Sequence, residues 1–494
     1  MKYLAINIGP IGQTLSMARK PREFWAASYL FSYLMQNILK TIDEKVKSLS
    51  LISPYYDKDN TKSKIGVGLY PDRAFYEMNE AIDINPVLQE ALTNFACEVN
   101  IRVQTAQRYF RVMSVQEDFP SQEEAIAGLN KILDWMELSP NACQPDDYDE
   151  ILNYLKRTTN EQPSPLFHIA LNKDYFPIDT LEAIALAGNQ KARYSYHRYV
   201  CIVQADGDNM GSVVKLMAQK GILNGFSEIL MDFGRKSCDR ISEFGGQPIY
   251  AGGDDLLFIA PIVGRGSNGT ILDLIRDLDS YFRTIQNYVK EKLKDVPDVK
   301  ETSMSYGLSV IYYKYPLYEG WKIAASQLFG KAKNKEKIKG KNAIALNIRK
   351  NSGSDFQLIM SKKAIEYDKL NEMILFTPKE TLVSAIAHKI RANEALLSTF
   401  PKQPPFDGFD IRLKAFYDHV VDLEAKTEEE IKYARLTQEM FSLIYRSRFS
   451  MTEETNSTTD KKETDEDKIN QIISQFYSTL RVAKFIKGEE VKDE

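Results

Sequence analysis

Three acidic residues in two short motifs carry the chemistry open to this 494-residue chain. The first motif is DGDNMG, Asp206 to Gly211, where the apolar run YVCIVQA ends and the chain turns toward a helix. Carboxylates at a strand end project together from a sheet edge, and Gly207 and Gly211 let the backbone turn and approach a phosphate closely. The same motif also reads as a polar loop in which Asp206 or Asp208 caps a helix. The second motif is GGDD, with Gly252, Gly253, Asp254 and Asp255 between the apolar runs PIYA and LLFIAP. A Gly-Gly pair serves a tight hairpin turn whether or not anything binds there. The aspartates have no such explanation, because adjacent acids repel and cost stability unless a cation neutralises them.

If Asp206, Asp254 and Asp255 meet at one sheet edge, they form a metal site. Oxygen ligands with no nearby histidine suit Mg²⁺ or Mn²⁺ rather than zinc or copper. Such ions would bridge the triphosphate oxygens of a nucleotide, activate an attacking 3′-hydroxyl and stabilise leaving pyrophosphate. A third segment, KAKNKEKIKGKNAIAL from Lys331 to Leu346, is rich in lysines. Lysine binds phosphate as a point charge, although a lysine-rich loop is also an ordinary solvated surface. Its place after a helix brings Lys333 or Lys341 within reach of the β and γ phosphates.

The elements that must position these residues follow from periodicity. A strand from Tyr199, a helix over Ile222 to Phe244, a hairpin around GGDD, a helix over Gly269 to Leu293 and a strand over Met304 to Tyr312 succeed one another. A helix at Glu319 to Lys333 and a strand at Asn342 to Ile348 follow. That βαββαβ order with an extra strand is the ferredoxin-like arrangement, in which the first strand and the hairpin are neighbours; the fold alone decides no function. The first block carries a strand at Tyr3 to Ile8, a Gly-Pro-Ile-Gly turn, an amphipathic helix over Pro21 to Lys45, strands at Lys64 to Leu69 and Tyr109 to Ser114, and a helix near Pro86 to Glu98. Ile126, Leu129, Ile132, Leu133 and Met136 recur at helical spacing within a helical insert. The expected fold is therefore α+β: two ferredoxin-like palm domains at 1–118 and 196–350, a helical middle domain at 119–195 and a helical C-terminal domain at 351–494. The polar stretch Thr452 to Asp467, TEETNSTTDKKETDED, is expected to be a disordered loop.

Bulk properties narrow the class. Hydrophobic residues make up 43% and charged residues 27%, values ordinary for a globular chain of several domains. A net charge of −4 provides no global basic field for non-specific nucleic-acid binding. Cys97, Cys143, Cys201 and Cys238 form no CxxC pair, which argues against a zinc ribbon or disulfide scaffold and fits a reducing cytoplasm. The N-terminal apolar run is too short for a signal peptide, and Leu256 to Val263, interrupted by Pro261, falls short of the ~20 residues that span a bilayer. Cys201, His197 and His168 lack the surroundings of a thiol nucleophile and read as ordinary core and surface residues.

Together these residues resemble the large, polymerase-like subunit of type III CRISPR effector complexes, most closely the Cmr type. DGDNMG, AGGDD, SYGLSVIYYKYPL and GKNAIAL stand in the order of that family's second palm, and IGPIGQTLSMARKPREFWAASYLFSYL looks like its first. The family shares ancestry with GGDEF diguanylate cyclases and adenylate cyclases. The resemblance implies an enzyme that converts ATP into a signalling nucleotide when guide RNA, the crRNA, pairs with target RNA, working with the other Cmr-type subunits. It implies Asp206 as first metal ligand with Gly207 offering a carbonyl, Asp254 and Asp255 as the catalytic pair, and Lys333 and Lys341 as phosphate-binding residues. Asp208, Asn209, Gly252 and Gly253 match the nucleotide-binding motifs. The first palm would be degenerate, with GLYPDRAFY at its hairpin position and no Asp-Asp pair.

Two departures stand out. The chain begins directly in the palm and contains no His-Asp dipeptide, so the HD-type nuclease of many relatives is not expected, and the cysteine zinc site of the middle region is missing. Family members mostly make cyclic oligoadenylates, yet some join AMP to an acceptor such as S-adenosylmethionine. A stand-alone cyclase without an RNA partner and a catalytically silent scaffold are the competing readings. The intact acidic constellation argues against the second.

Overall fold

The computed structural model describes residues 1–59, 66–138, 143–156, 165–170, 178–334, 341–376, 380–422, 426–450 and 464–490. Two sheets organise it. β1 (Lys2–Gly9), β2 (Leu49–Ser53), β3 (Arg73–Met78) and β4 (Arg111–Asp118) form an antiparallel sheet in the order β2-β3-β1-β4. β5 (Tyr199–Asp208), β6 (Gln247–Gly252), β7 (Asp255–Pro261), β8 (Ser303–Tyr312), β9 (Ala343–Arg349) and β10 (Asp355–Ser361) form the second, in the order β10-β9-β8-β5-β7-β6. The first four strands of each unit thus share one order, the ferredoxin-like one, and the second sheet extends it through a parallel β8–β9 pair and an antiparallel β9–β10 pair.

The central strands are buried almost continuously because helices cover them. Helix Leu223–Phe244 packs on β6 and β7 and against helix Ile271–Lys292, whose start is fixed by reciprocal bonds between Thr270 and Asp273. Helix Leu317–Gln327 lies on β5 and β8, so closely that a β-carbon at Gly307 would stand 2.2 Å from the Ala324 carbonyl oxygen. Only glycine admits that approach. The two units meet directly: the Ala251 N–H donates to the Gly68 carbonyl at 2.9 Å, and Phe24 packs edge-on against Trp321.

Several expectations need correction. Residues 64 and 65 of the strand expected at Lys64 to Leu69 lie outside the described residues, and Gly66 to Leu69 is a loop with a single bridge from Gly68 to Tyr250. The strands there are β2 and β3 instead. Tyr109 closes a helix, Val103–Tyr109, and the strand begins only at Arg111. The helix expected to reach Lys333 stops at Gln327 and continues as a wider π-type turn, Leu328–Ala332. The region from 351 is not helical throughout: Phe356, Leu358 and Met360 alternate inward along β10, a period of two that marks a strand. Of the stretch expected to be disordered, residues 452–463 lie outside the described residues, whereas Asp465 to Asp467 open a helix capped by the Thr464 side chain. Among the described residues no helix is long and apolar enough to cross a membrane.

Candidate active site

The hairpin between β6 and β7 closes with Gly252 paired to Asp255, leaving Gly253 and Asp254 as its two-residue turn. Gly253 sits at φ +64°, a left-handed conformation that favours glycine. β5 pairs with β7 as far as Ala205 against Leu256, so the next position of that register sets Asp206 beside Asp255. A β-carbon at Gly207 would stand 2.6 Å from Asp254 Oδ2 and 2.9 Å from its β-carbon. The Asp254 carboxylate therefore lies over the Gly207 backbone, next to Asp206.

Lys333 enters from the other side. The π-type turn ends at it, and its ammonium donates to the Gly207 carbonyl at 2.9 Å and pairs with Asp206 Oδ2. Burial, then the charge of Asp206, pushes the Asp254 carboxyl up to about 7, with Lys333 pulling the other way. Loss of surrounding water, then Asp254 and Asp206, also raises Asp255, although its side chain keeps an exposed edge. Three acids against one ammonium leave negative charge that a divalent cation would relieve. Among the described residues no three or more His, Cys, Asp or Glu close around one point. The converging oxygens are the Asp206 and Asp254 carboxylates and the Gly207 carbonyl, a partial oxygen set of the kind that suits Mg²⁺, which keeps several waters.

Asp208 and Asn209 do other work than the motif suggested. Asp208 is fully buried, and its Oδ2 accepts from Ser303 Oγ at 2.7 Å, Ser305 Oγ at 2.8 Å and the Asn342 N–H at 2.9 Å. It ties β5 to β8 and to the segment entering β9, buried beneath the edge that Asp206 and Asp254 share. Asn209 adopts φ +62° and its side chain donates to the Glu301 carbonyl, fixing the entry to helix Met210–Gln219. Lys341 stands next to Asn342 at φ +59°, so Asp208 sets its place. Residues 335–340 of the lysine-rich stretch lie outside the described residues. At Gly252 a β-carbon would fall 2.1 Å from the Tyr250 hydroxyl, which shows the phenol lying over the turn. Cys201 is buried in β5 with its thiol pushed well up by burial, which removes it from any thiol chemistry.

Sequence reading missed Tyr250 and Asp72, whose carboxyl also bears on Asp255. The equivalence of the two sheets reveals the second. Arg73 opens β3 and pairs with Asn7 of β1, as Asp255 opens β7 beside Asp206. Asn7, Asp72 and Arg73 therefore occupy the positions of Asp206, Asp254 and Asp255. Arg73 bonds Asp134 at 2.6 Å and Glu137 at 3.0 Å, and Asn7 bonds Glu137, so a fixed guanidinium and an amide stand where the second palm has Asp255 and Asp206. Aligning GLYPDRAF with GGDDLLF contains the signal, but it becomes readable only once the register is known.

Residues 199–345 match the family model of the Cas10/Cmr2 second palm domain, and residues 3–100 match that of the CRISPR-associated protein Cmr2 N-terminal region. The CRISPR system Cmr subunit Cmr2 of Pyrococcus furiosus is 24% identical over 268 residues, covering 48% of this chain and 28% of the relative. The chain thus matches little more than a quarter of that relative's length. Among solved structures, the apo Csm1-Csm4 cassette aligns with a TM-score of 0.51 at 12% identity over 90% of this chain and 69% of that one. The Csm1-Csm4 cassette in complex with pppApA aligns with a TM-score of 0.50 at 12% identity over 99% and 69%. These two share the fold. With two modules matched in the same order, and an acidic corner in the second, the chain is similar to the Cas10/Cmr2 proteins over its N-terminal region and its second palm.

Proposed function

We propose that the chain is a metal-dependent nucleotidyltransferase that polymerises or conjugates ATP at the Asp206–Asp254 edge of the second palm. The observation that carries this reading is the Asp254 carboxylate lying over Gly207, beside Asp206 and under the Lys333 ammonium. Mg²⁺ or Mn²⁺, held by Asp206, Asp254 and the Gly207 carbonyl with Asp255 adjacent, would supply Lewis acidity to the triphosphate and to the attacking hydroxyl. Gly207 keeps the backbone low enough for phosphate to approach. Lys333, already a cation at this edge, contributes charge to the β and γ phosphates, and Lys341, next to the Asn342 that Asp208 holds, does the same.

The product is a signalling nucleotide: a cyclic oligoadenylate, or an AMP conjugate with an acceptor such as S-adenosylmethionine. Relatives of the fold have been captured with cA4 and pppApA, which supports adenine nucleotides as substrate and product class. The name of the Pyrococcus furiosus relative, a subunit of a CRISPR Cmr system, supports assembly with other Cmr-type subunits; crRNA and target RNA as partners, target binding as the trigger and a cytoplasmic location belong to the same proposal. The test is to incubate the assembled complex with ATP, with and without target RNA and candidate acceptors, and to identify products by mass spectrometry. Target-dependent adenylate products are expected. Activity of the purified chain without RNA would favour a stand-alone cyclase, and no product under any condition would favour a silent scaffold.

A further inference from the structure

The second palm carries another cavity at the end of β5 remote from Asp206. It is a depression open to solvent, with a volume of about 620 Å³. Its lining includes Lys191, Arg193, Tyr194, His197 and Ser267, and among the described residues Glu490 is its one acid. Lys191 and Arg193 are exposed at the rim, and the exposed Arg265 packs its side chain against Gly188 beside it. In a chain of net charge −4, this is a local excess of cations.

The wall is rigid. His197 Nδ1 accepts the backbone N–H groups of Arg193 and Tyr194, both at 3.1 Å, so the loop is fixed by an imidazole in its neutral form. Burial and the nearby Arg193 cation hold that imidazole below its usual pKa. The Tyr194 ring stacks on Tyr196 at 5.3 Å and 12°. Tyr196 is itself buried against Gly488, where a β-carbon would come within 2.3 Å of its ring. The C-terminal segment closes behind them through a bridge from Tyr194 to Glu490. Tyr194 is therefore a braced aromatic face in a cavity rimmed by guanidinium and ammonium groups.

We infer that this cavity binds a short single-stranded RNA segment, with its phosphates on Arg193 and Lys191 and a base stacked on Tyr194. Cations tracking a backbone beside an aromatic platform are the elements of sequence-tolerant single-strand binding. An acidic polypeptide would use the same cations but gains nothing from a braced ring, which is why RNA is the better occupant. The cavity lies on the order of 25 Å from Asp206 along β5, at about 3.3 Å per residue, and its occupancy is independent of the chemistry proposed there.

The experiment is fluorescence anisotropy of the full chain with a labelled short single-stranded RNA at low salt. Lys191→Glu with Arg193→Glu should weaken binding by about tenfold or more, and Tyr194→Ala should weaken it while Tyr194→Phe preserves it. Asp254→Ala with Asp255→Ala should bind as the unaltered chain does, which separates this site from the catalytic reading. Unchanged affinity in the charge-reversal variant would overturn the inference. So would charge-dependent binding indifferent to Tyr194→Ala and displaced by an oligoglutamate peptide, the behaviour of an acidic-peptide site. Because the hydrogen bond from Arg193 to His197 comes from its backbone N–H, the reversal should keep that bond and leave folding intact. If it does not, crosslinking of 4-thiouridine RNA to the unaltered chain decides: adducts at Tyr194 or its neighbours support the site, and adducts only elsewhere overturn it.

Discussion

Asp254 rests on Gly207: a single methyl group at residue 207 would stand 2.6 Å from the Asp254 carboxylate oxygen and 2.5 Å from Met210. Gly207→Ala should therefore displace Asp254 from the edge it shares with Asp206. The expected cost in stability is about 1–3 kcal/mol, as for other overpacked sites. The expected cost in nucleotide synthesis is larger, about 100-fold, since misplacement by an ångström has that effect on positioned groups. Denaturant melts and product assays on the same variant separate the two, and near-normal synthesis would mean that the close approach is irrelevant to chemistry.

The raised carboxyl of Asp254 makes stability depend on pH. Its value rises from 3.8 to about 7 on folding, so the native chain without metal holds a proton that the unfolded chain releases. That contribution is fully present below about pH 4 and is lost as pH rises through 7, up to about 4 kcal/mol at roughly 1.4 kcal/mol per unit. Asp254→Asn should remove this loss. A divalent cation stabilises the deprotonated site instead, so Mg²⁺ should raise the denaturation midpoint more at pH 8 than at pH 5, and only when Asp254 is present. Equal Mg²⁺ effects in both proteins would place the ion elsewhere.

Lys333 contacts Asp206 and the Gly207 carbonyl before any nucleotide arrives. Lys333→Ala should raise the apparent KM for ATP by about tenfold with little effect on RNA binding, because a charge present in the ground state acts on binding. It also removes a cation that lowers both Asp254 and Asp255, so the pH profile of the reaction should move upward. Steady-state kinetics across pH check both, and an unchanged KM and profile would make Lys333 a surface residue.

Asp208 acts through what it holds. Asp208→Ala leaves the hydroxyls of Ser303 and Ser305 and the Asn342 N–H without their acceptor, at a cost of about 3 kcal/mol or more. The associated loss of Lys341 placement should appear as a raised KM for ATP. Ser303→Ala, removing one donor and leaving the acceptor served, should cost about 1 kcal/mol and leave KM alone. Similar kinetic defects in both variants would contradict the positioning role.

Much of this was legible in the sequence because the signals were local. Helix Pro21–Lys45 and helix Leu223–Phe244 carry long apolar periods, and β5, β7 and β8 are continuous apolar runs ending in the acidic motifs. The failures share a cause. β2 is five residues long and β3 six, with too few turns of any pattern to outweigh the neighbouring helices, and β10 was hidden by the helices that follow it. The structural bonds of Asp208 and Asn209 were hidden because one motif mixes a carboxylate for the site with polar groups that secure the strand. Their partners, Ser303, Ser305 and Glu301, lie more than 90 residues away. Tyr250 and Asp72 gain meaning only through the bond between Ala251 and Gly68, which joins two units that the sequence presents separately.

The most direct measurement uses the assembled complex carrying Asp254→Ala with Asp255→Ala, incubated with ATP, target RNA and Mg²⁺, with products read by mass spectrometry. The two carboxylates are the charge that the metal and the triphosphate would share, so synthesis should vanish while subunit assembly and RNA binding persist. Full synthesis by an intact complex lacking both residues would contradict the account at its centre.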